Sequence, residues 1–394
     1  MTRGASASVA GLLAALLGGC VGRPALPPPQ FVPVPEVADV ESVTFFIGDT
    51  GEAPYGASPV LARLREDVAW WSERLEGEAP VAVIVLGDVV YPLGMNPPGT
   101  PEFSSDSLLV MGQVDVLTTP YALERARGYF TSGNHDWGLE EDWEGFARIE
   151  TLSDFLDHAR SLTGASVQFV PEPGTGGPYV IDLGTRLRIV IIDTAWWILD
   201  GGRLGMDRRE KVLDGVRQAL ETAGDREVVI AGHHPFYSAG PHGGEVSFWR
   251  TLGVRYLLVR SGALLQDLTS LPYRELSAGL RTIFEDVEPP LLFAGGHEHS
   301  LQVFRAIDPT DPEFSIVVGS ASKLSSLGTG PGMQFGSSTP GYMRLVVERN
   351  GGVTLSVESA PADFLACPTD EPERSGCMAE GVEAFETVHS QRLR

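Results

Sequence analysis

The chain has 394 residues, of which 52 are acidic and 29 basic, so its formal net charge is −23 at pH 7. Hydrophobic residues make up 43% and charged residues 21% of the composition, which excludes general disorder and a bundle of membrane spans. The negative charge argues against nucleic acid as a partner, because a polyanion would be repelled over most of the surface. The length allows one large α/β domain or two average ones.

The first 20 residues have the pattern of an export signal. Arg3 precedes an apolar run from Val9 to Leu17, and small residues follow before Cys20. About ten apolar residues are too few to span a bilayer, which takes about 20. The segment resembles a bacterial lipoprotein signal, which implies a lipid on Cys20 and an anchored chain that faces the periplasm or the cell surface. An ordinary cleaved signal is the alternative.

The two ends of the chain differ in composition from the part between them. Residues 21–40 are rich in proline and lack a helical or strand period, which predicts a semi-extended tether. Residues 361–394 are polar and predict a C-terminal tail that carries Cys367 and Cys377. Two cysteines without nearby histidines make a poor zinc site, so in an exported chain we expect them to form a disulfide.

Between these ends, apolar runs predict strands and amphipathic runs predict helices. The predicted strands are 43–48, 81–87, 179–183, 187–193, 227–232, 291–295, 302–307, 314–319, 342–348 and 353–358. The predicted helices are 58–76, 114–127, 142–163 and 208–223. Continuous runs of Val and Ile indicate strands that are covered on both faces. The order predicts a layered α/β sandwich with an antiparallel end, in one catalytic domain of residues 41–360.

Two stretches, 92–106 and 320–341, are rich in Gly, Pro and Ser and predict long loops. Loops longer than about 12–15 residues are usually functional or disordered. The second loop contains Lys323, which is one of only two lysines, with Lys211. The sequence does not place Lys323 or assign it a partner.

Five short polar motifs follow apolar runs. They are GDTG (48–51), GDVVY (87–91), GNHD (133–136), HHP (233–235) and GHEH (296–299). Open α/β sheets bind ligands beyond the carboxyl ends of their strands, so these turns are expected to share one crevice. Six of the eight histidines lie in or beside the motifs, whereas His158 and His389 do not. Each motif alone also fits a simple turn or a helix cap; the five together indicate a site.

The motifs offer carboxylates, a phenol, an amide oxygen and several imidazoles, but no thiolate. Such a set suits hard or borderline metal ions rather than a structural zinc held by cysteines. It is also too large for one ion, since two metals that share a carboxylate need about seven protein ligands. Paired metals are the arrangement that stabilises both oxygens of a phosphoryl displacement. The sequence therefore predicts a dinuclear centre.

In this order, the motifs resemble those of the calcineurin-like metallophosphoesterases and, within them, the purple acid phosphatases. The resemblance covers about residues 43–348. Gly51 stands where most relatives have a metal-binding histidine, and Tyr91 stands where a phenolate ligand would replace it. The resemblance implies an α/β/β/α sandwich with mixed sheets.

The resemblance also implies the ligands. Asp49, Tyr91 and His299 would bind the first metal, Asp88 would bridge, and Asn134, His233 and His297 would bind the second. The first ion would be Fe(III) and the second Fe(II), Zn(II) or Mn(II). His233 is chosen because it directly follows the glycine, and its neighbour His234 is the alternative.

The implied reaction is hydrolysis of small phosphate monoesters by a metal-activated hydroxide. His135 would protonate the leaving group, and Asp136 would either orient His135 or cap the next helix. His242 would be a second site histidine or an exposed loop residue, and Trp196 and Trp197 would line the pocket or the core. Two alternatives are a phosphodiesterase or nucleotidase with Mn or Zn, and an anchored binding lipoprotein without activity. The oligomeric state is open.

Overall fold

The computed structural model describes residues 26–78, 80–139, 143–199, 206–243 and 268–394. The predicted signal and Cys20 lie outside these residues. None of the helices described is both long and apolar enough to cross a membrane.

Two mixed sheets of seven strands each form the centre of the molecule. The strands are β1 (Val40–Ile47), β2 (Val81–Leu86), β3 (Ala126–Thr131), β4 (Val167–Phe169), β5 (Tyr179–Leu183), β6 (Leu187–Ile191), β7 (Glu227–Ala231), β8 (Leu292–Gly295), β9 (Leu301–Arg305), β10 (Phe314–Val318), β11 (Met333–Ser337), β12 (Gly341–Glu348), β13 (Val353–Ser359) and β14 (Glu386–Arg392). The first sheet has the order β14-β13-β12-β1-β2-β3-β4, and the second β11-β9-β10-β8-β7-β6-β5. Strands β1 to β4 are parallel, as are β6, β7, β8 and β10.

The helices cover the outer faces of the sheets. They are α1 (Pro59–Arg74), α2 (Phe103–Val114), α3 (Pro120–Arg125), α4 (Trp143–Thr163), α5 (Thr194–Leu199), α6 (Met206–Glu221), α7 (Leu271–Asp286) and α8 (Glu373–Glu383). In β2, Ile84 and Leu86 belong to the apolar core between the sheets, whereas Val83 and Val85 belong to the apolar layer shared with the helices. The predicted α/β/β/α sandwich is thus confirmed, and both faces of the central strands are buried.

The predicted strands are all present, with small shifts at their ends. The prediction of one helix over 114–127 is wrong. Helix α2 ends at Val114, a 3-10 turn follows, and α3 begins at Pro120, since proline cannot donate the hydrogen bond that a helix interior requires. The predicted loops are also shorter: α2 begins inside the first, and the second contains β11. Eight described elements were not predicted: helices α2, α5, α7 and α8, and strands β3, β4, β11 and β14.

The C-terminal segment is part of the sandwich and not a free tail. Strand β14 pairs with β13 at the edge of the first sheet, and a disulfide joins Cys367 to Cys377 in α8. Residues 30–32 of the proline-rich segment lie along β14. The Ser390 amide donates to the Gln30 carbonyl at 2.8 Å, and the Val32 amide donates to Ser390 Oγ at 2.7 Å.

Candidate metal centre

The five motifs meet where the carboxyl ends of the two sheets adjoin. In the first sheet, the Asp49 amide after β1 donates to the Gly87 carbonyl after β2, at 3.0 Å. His233, which follows β7 of the second sheet, reaches across with Nδ1 at 2.8 Å from the Leu86 carbonyl. The His297 amide after β8 donates to Asp49 Oδ2 at 2.8 Å. The turns are therefore bonded to one another across the gap between the sheets.

One group of donor atoms surrounds the Tyr91 hydroxyl. This oxygen lies 2.8 Å from Asp88 Oδ2, 3.0 Å from Asp49 Oδ1 and 3.3 Å from His299 Nε2. His299 Nε2 is also 3.4 Å from Asp49 Oδ1. These atoms come from the residues that the resemblance assigns to the first metal.

A second group surrounds the side-chain oxygen of Asn134. Asn134 Oδ1 lies 2.9 Å from His233 Nε2 and 3.0 Å from His297 Nδ1, and the two nitrogens are 3.2 Å apart. Asp88 Oδ1 is 3.5 Å from His233 Nε2. Asp88 therefore extends one carboxylate oxygen to each group, which is the arrangement of a bridging ligand.

In the second group, lone pairs of His233 and Asn134 face each other, an arrangement that favours a cation between them. His233 Nδ1 faces the Leu86 carbonyl and so carries the proton, which leaves a lone pair on Nε2. That lone pair faces the oxygen of Asn134 at 2.9 Å. Two acceptors at this distance need a positive charge or a proton between them. Burial opposes a charge on His233, yet the carboxylates of Asp88 and Asp49 raise its pKa above the usual value, so the site attracts positive charge.

The first group fits a cation as well. Burial, together with the charges of Asp49 and Asp88, raises the pKa of Tyr91 well above that of a free phenol. The phenol therefore keeps its proton until a cation displaces it, and metal binding is expected to release a proton. Burial opposes ionisation of Asp49, but His299 and His233 lower the pKa of this carboxyl below its usual range.

Three of these side chains stand on left-handed backbone. The φ angles are 57° at Asp49, 52° at Asp88 and 66° at His297, a region that residues other than glycine seldom occupy. Such conformations cost free energy of about 1–3 kcal/mol each and cluster at functional sites. Glycine is required at position 133, because an added Cβ there would lie 2.1 Å from Asp88 Oδ1.

Comparison with known protein families agrees with this geometry. Residues 43–301, more than half of the chain, match the family model of the calcineurin-like phosphoesterases. The chain belongs to this family. No curated protein matches the phosphoesterase.

Two solved structures share its fold. GAP50, the anchor in the inner membrane complex of Plasmodium, has a TM-score of 0.50 and 16% identity, with coverage of 89% of this chain and 96% of that chain. A purple acid phosphatase from yellow lupin (Lupinus luteus) seeds has a TM-score of 0.53 and 14% identity, with coverage of 89% and 53%. The phosphoesterase thus spans about half the length of the lupin enzyme. At such identities, the likeness shows the fold alone.

His135 of the phosphoesterase lies beside the two groups of donor atoms without joining either. Its amide donates to Asp88 Oδ1 at 3.0 Å, and its ring packs edge-on against Tyr91 with centroids 4.4 Å apart. His135 Nδ1 lies 2.6 Å from the Pro92 carbonyl, so this nitrogen carries a proton and Nε2 is the atom left for substrate.

The predicted alternatives for Asp136 both need correction. Its carboxylate is buried and accepts hydrogen bonds from the amides of Val89, Val90 and Gly133 at 2.8–3.1 Å. It therefore fastens the GDVVY turn to the GNHD turn instead of orienting the His135 ring, which the Pro92 carbonyl does. Burial and the charge of Asp88 raise the pKa of Asp136 to about 7.

His242 lies at the second group, with its ring centroid 4.7 Å from that of His297. Its position depends on Glu298, a residue that was not predicted to belong to the site. Glu298 Oε1 accepts the His242 amide at 2.7 Å, and a Cβ on Gly240 would lie 2.2 Å from Glu298 Oε2. Glu298, which stands between the two histidines of the GHEH motif, thus holds the loop that carries His242.

His233 and His234, the two alternative ligands, have different partners. His234 Nδ1 lies 2.9 Å from Thr194 Oγ1, while His233 Nε2 faces Asn134 and Asp88. One nitrogen of His234 still lies within 4.8 Å of donor atoms of His233 and His297. Burial, then the charges of His233 and His242, lower the pKa of His234 well below its usual value. Trp196 and Trp197 are buried in the apolar layer shared with the helices.

Proposed function

We propose that the protein is a phosphatase that hydrolyses small phosphate monoesters at a centre of two metal ions. The observation that carries the proposal is Asp88, whose Oδ2 is 2.8 Å from the Tyr91 hydroxyl and whose Oδ1 is 3.5 Å from His233 Nε2. One carboxylate shared by two donor groups supports a pair of cations. The family match supports a phosphoesterase.

Asp49, Tyr91 and His299 would hold the first ion, and Asn134, His233 and His297 the second, with Asp88 between them. We assign Fe(III) to the first position, because phenolate and carboxylate oxygens suit a hard trivalent ion, and Fe(II), Zn(II) or Mn(II) to the second. Ions bound there supply an acidified water as nucleophile and positive charge for the phosphate oxygens.

The protein itself contributes proton transfer and orientation. The His135 ring packs against Tyr91 and its Nδ1 is held by the Pro92 carbonyl, so Nε2 is the atom that would donate a proton to the leaving oxygen. The His242 ring packs against His297, a residue of the second donor group. We assign His242 a contact with the phosphate group.

The test is turnover by the purified protein after loading with iron and zinc, coupled to elemental analysis. We expect two metals per chain and faster hydrolysis of p-nitrophenyl phosphate than of bis(p-nitrophenyl) phosphate. A ferric–phenolate absorption band that disappears in Tyr91→Phe would support iron at the first position. Preference for the diester without such a band would favour the Mn or Zn phosphodiesterase. Two bound metals without turnover of either ester would favour a binding protein.

We also propose that the protein is exported and anchored by a lipid on Cys20. The support is the N-terminal pattern of residues 1–20 and the Cys367–Cys377 disulfide, since disulfides persist in oxidising compartments. Cys20→Ala should move the protein from the membrane fraction to the soluble fraction. Unchanged fractionation would overturn the anchor and leave the phosphatase proposal intact.

A further inference from the structure

Lys323 lies against a ligand of the first metal group. Its ammonium nitrogen is 3.4 Å from the centroid of the Tyr91 ring, which is a cation–π distance. The same nitrogen is 3.0 Å from Glu52 Oε1, and the lysine side chain is only 26% exposed. The cation thus occupies the face of the ring, whereas the phenol oxygen faces Asp49, Asp88 and His299.

The loop that carries Lys323 is bonded to two of the turns of this group, those of Asp49 and His299. Ser322 Oγ donates to the Asp49 carbonyl and accepts the Glu52 amide, the latter at 3.2 Å. The Ser325 amide donates to the His299 carbonyl at 2.9 Å. Because the residues on either side of Lys323 are bonded to the ligand turns, its position over Tyr91 is set by the architecture of the site.

We propose that Lys323 is a positioning residue that tunes the first metal through the Tyr91 ring. This inference rests on the proposed function, in which Tyr91 binds as a phenolate. A positive charge on the ring face stabilises the anionic ring and lowers the energy of its filled orbitals. The phenolate then gives less electron density to the metal. Moving an electron from the ring to ferric iron takes more energy, so the charge-transfer band lies at shorter wavelength.

The experiment compares the absorption maximum of this band in full-length, iron-loaded proteins. Lys323→Met removes the charge, Lys323→Arg keeps a cation, and Lys211→Met is the matched control, because Lys211 is the only other lysine and is exposed on α6. We expect a shift to longer wavelength in Lys323→Met, and a maximum near that of the wild type in the other two. Glu52→Gln, which leaves the ammonium uncompensated, should shift the band to shorter wavelength.

The competing role for Lys323 is direct contact with the substrate phosphate. In that case Lys323→Met would raise the KM for a monoester and the inhibition constant of inorganic phosphate by about tenfold or more, with the band unmoved, and our inference would be overturned. Lys323→Gln serves as a second neutral variant if the Met variant does not load iron. A wild-type protein that binds iron without the band would instead refute Tyr91 as a ligand, and with it both the proposed iron centre and the role of Lys323.

Discussion

Tyr91 packs so closely against Gly51 that no side chain fits at position 51. A Cβ added to Gly51 would lie 2.8 Å from Tyr91 N and 2.9 Å from Tyr91 Cδ2, closer than real Cβ contacts. The two backbones are also bonded, since the Tyr91 amide donates to the Gly51 carbonyl at 3.3 Å. A side chain at position 51 would therefore clash with the Asp88 carbonyl oxygen, at 2.8 Å, as well as with Tyr91, so glycine is required there with the turn and ring in this arrangement.

Gly51→Ala is expected to lower the free energy of unfolding by about 1–3 kcal/mol, the usual cost of overpacking a buried site, and to weaken metal binding. Gly376→Ala is the matched control, because a Cβ there meets nothing within 4 Å and Gly376 lies in α8. That change should be neutral or stabilise by up to about 1 kcal/mol. Chemical denaturation with metal analysis measures both effects. Equal stability of the two variants would contradict the steric account.

Asp88→Asn should abolish turnover and reduce the metal content, because the variant loses the charge that both groups of donor atoms share. Asp154→Asn, a change of an exposed carboxylate on α4, is the control and should retain both. The measurement is metals per chain after dialysis against a weak chelator, together with the rate on p-nitrophenyl phosphate. Full metal content in Asp88→Asn would mean that Asp88 is not a ligand.

His135→Ala should reduce kcat by about 10²–10⁴-fold, the usual contribution of a general acid, while the metal content stays unchanged. The loss should be greatest for alkyl phosphates and smallest for p-nitrophenyl phosphate, since p-nitrophenolate leaves without a proton. His158→Ala, on the outer helix α4, is the control. A loss of equal size for both kinds of leaving group would argue against proton donation by His135.

Asp136 is expected to make the stability of the metal-free protein depend on pH. Burial and the charge of Asp88 raise its folded-state pKa to about 7, from 3.8. The fold therefore favours the protonated carboxyl, and this contribution is fully present below about pH 4 and is lost as the pH rises through about 7.

Asp136→Asn, measured by denaturation in chelator, should thus cost more stability at pH 5 than at pH 8, by about 2 kcal/mol, as one pKa unit corresponds to about 1.4 kcal/mol. Loading with metal should reduce the difference, because cations neutralise Asp88. An identical cost at both pH values would show that Asp136 stays ionised throughout. Wild-type protein on the same plate supplies the reference at each pH.

The sequence suggested the proposed ligands because each follows a strand by only a few residues, and a polar motif after a strand is a local signal. The long-range contacts were not predictable in this way. Asp136 bonds to Val89 and Val90 on a different turn, and Lys323 meets Tyr91 through a loop whose path depends on the whole second sheet. The break between α2 and α3 was also missed. The chain around Pro120 carries a helical pattern, which the proline interrupts.

The proline-rich segment has a consequence for any anchored form of this enzyme. From Gln30 onward it is bonded to the edge strand β14, so only residues 21–25 separate the proposed lipid site from the folded body at Leu26. Even if these residues were fully extended, they would span at most about 20 Å. The catalytic body would be confined to a thin layer above the bilayer, and esters that diffuse along the membrane surface would reach it more often than esters free in the surrounding volume.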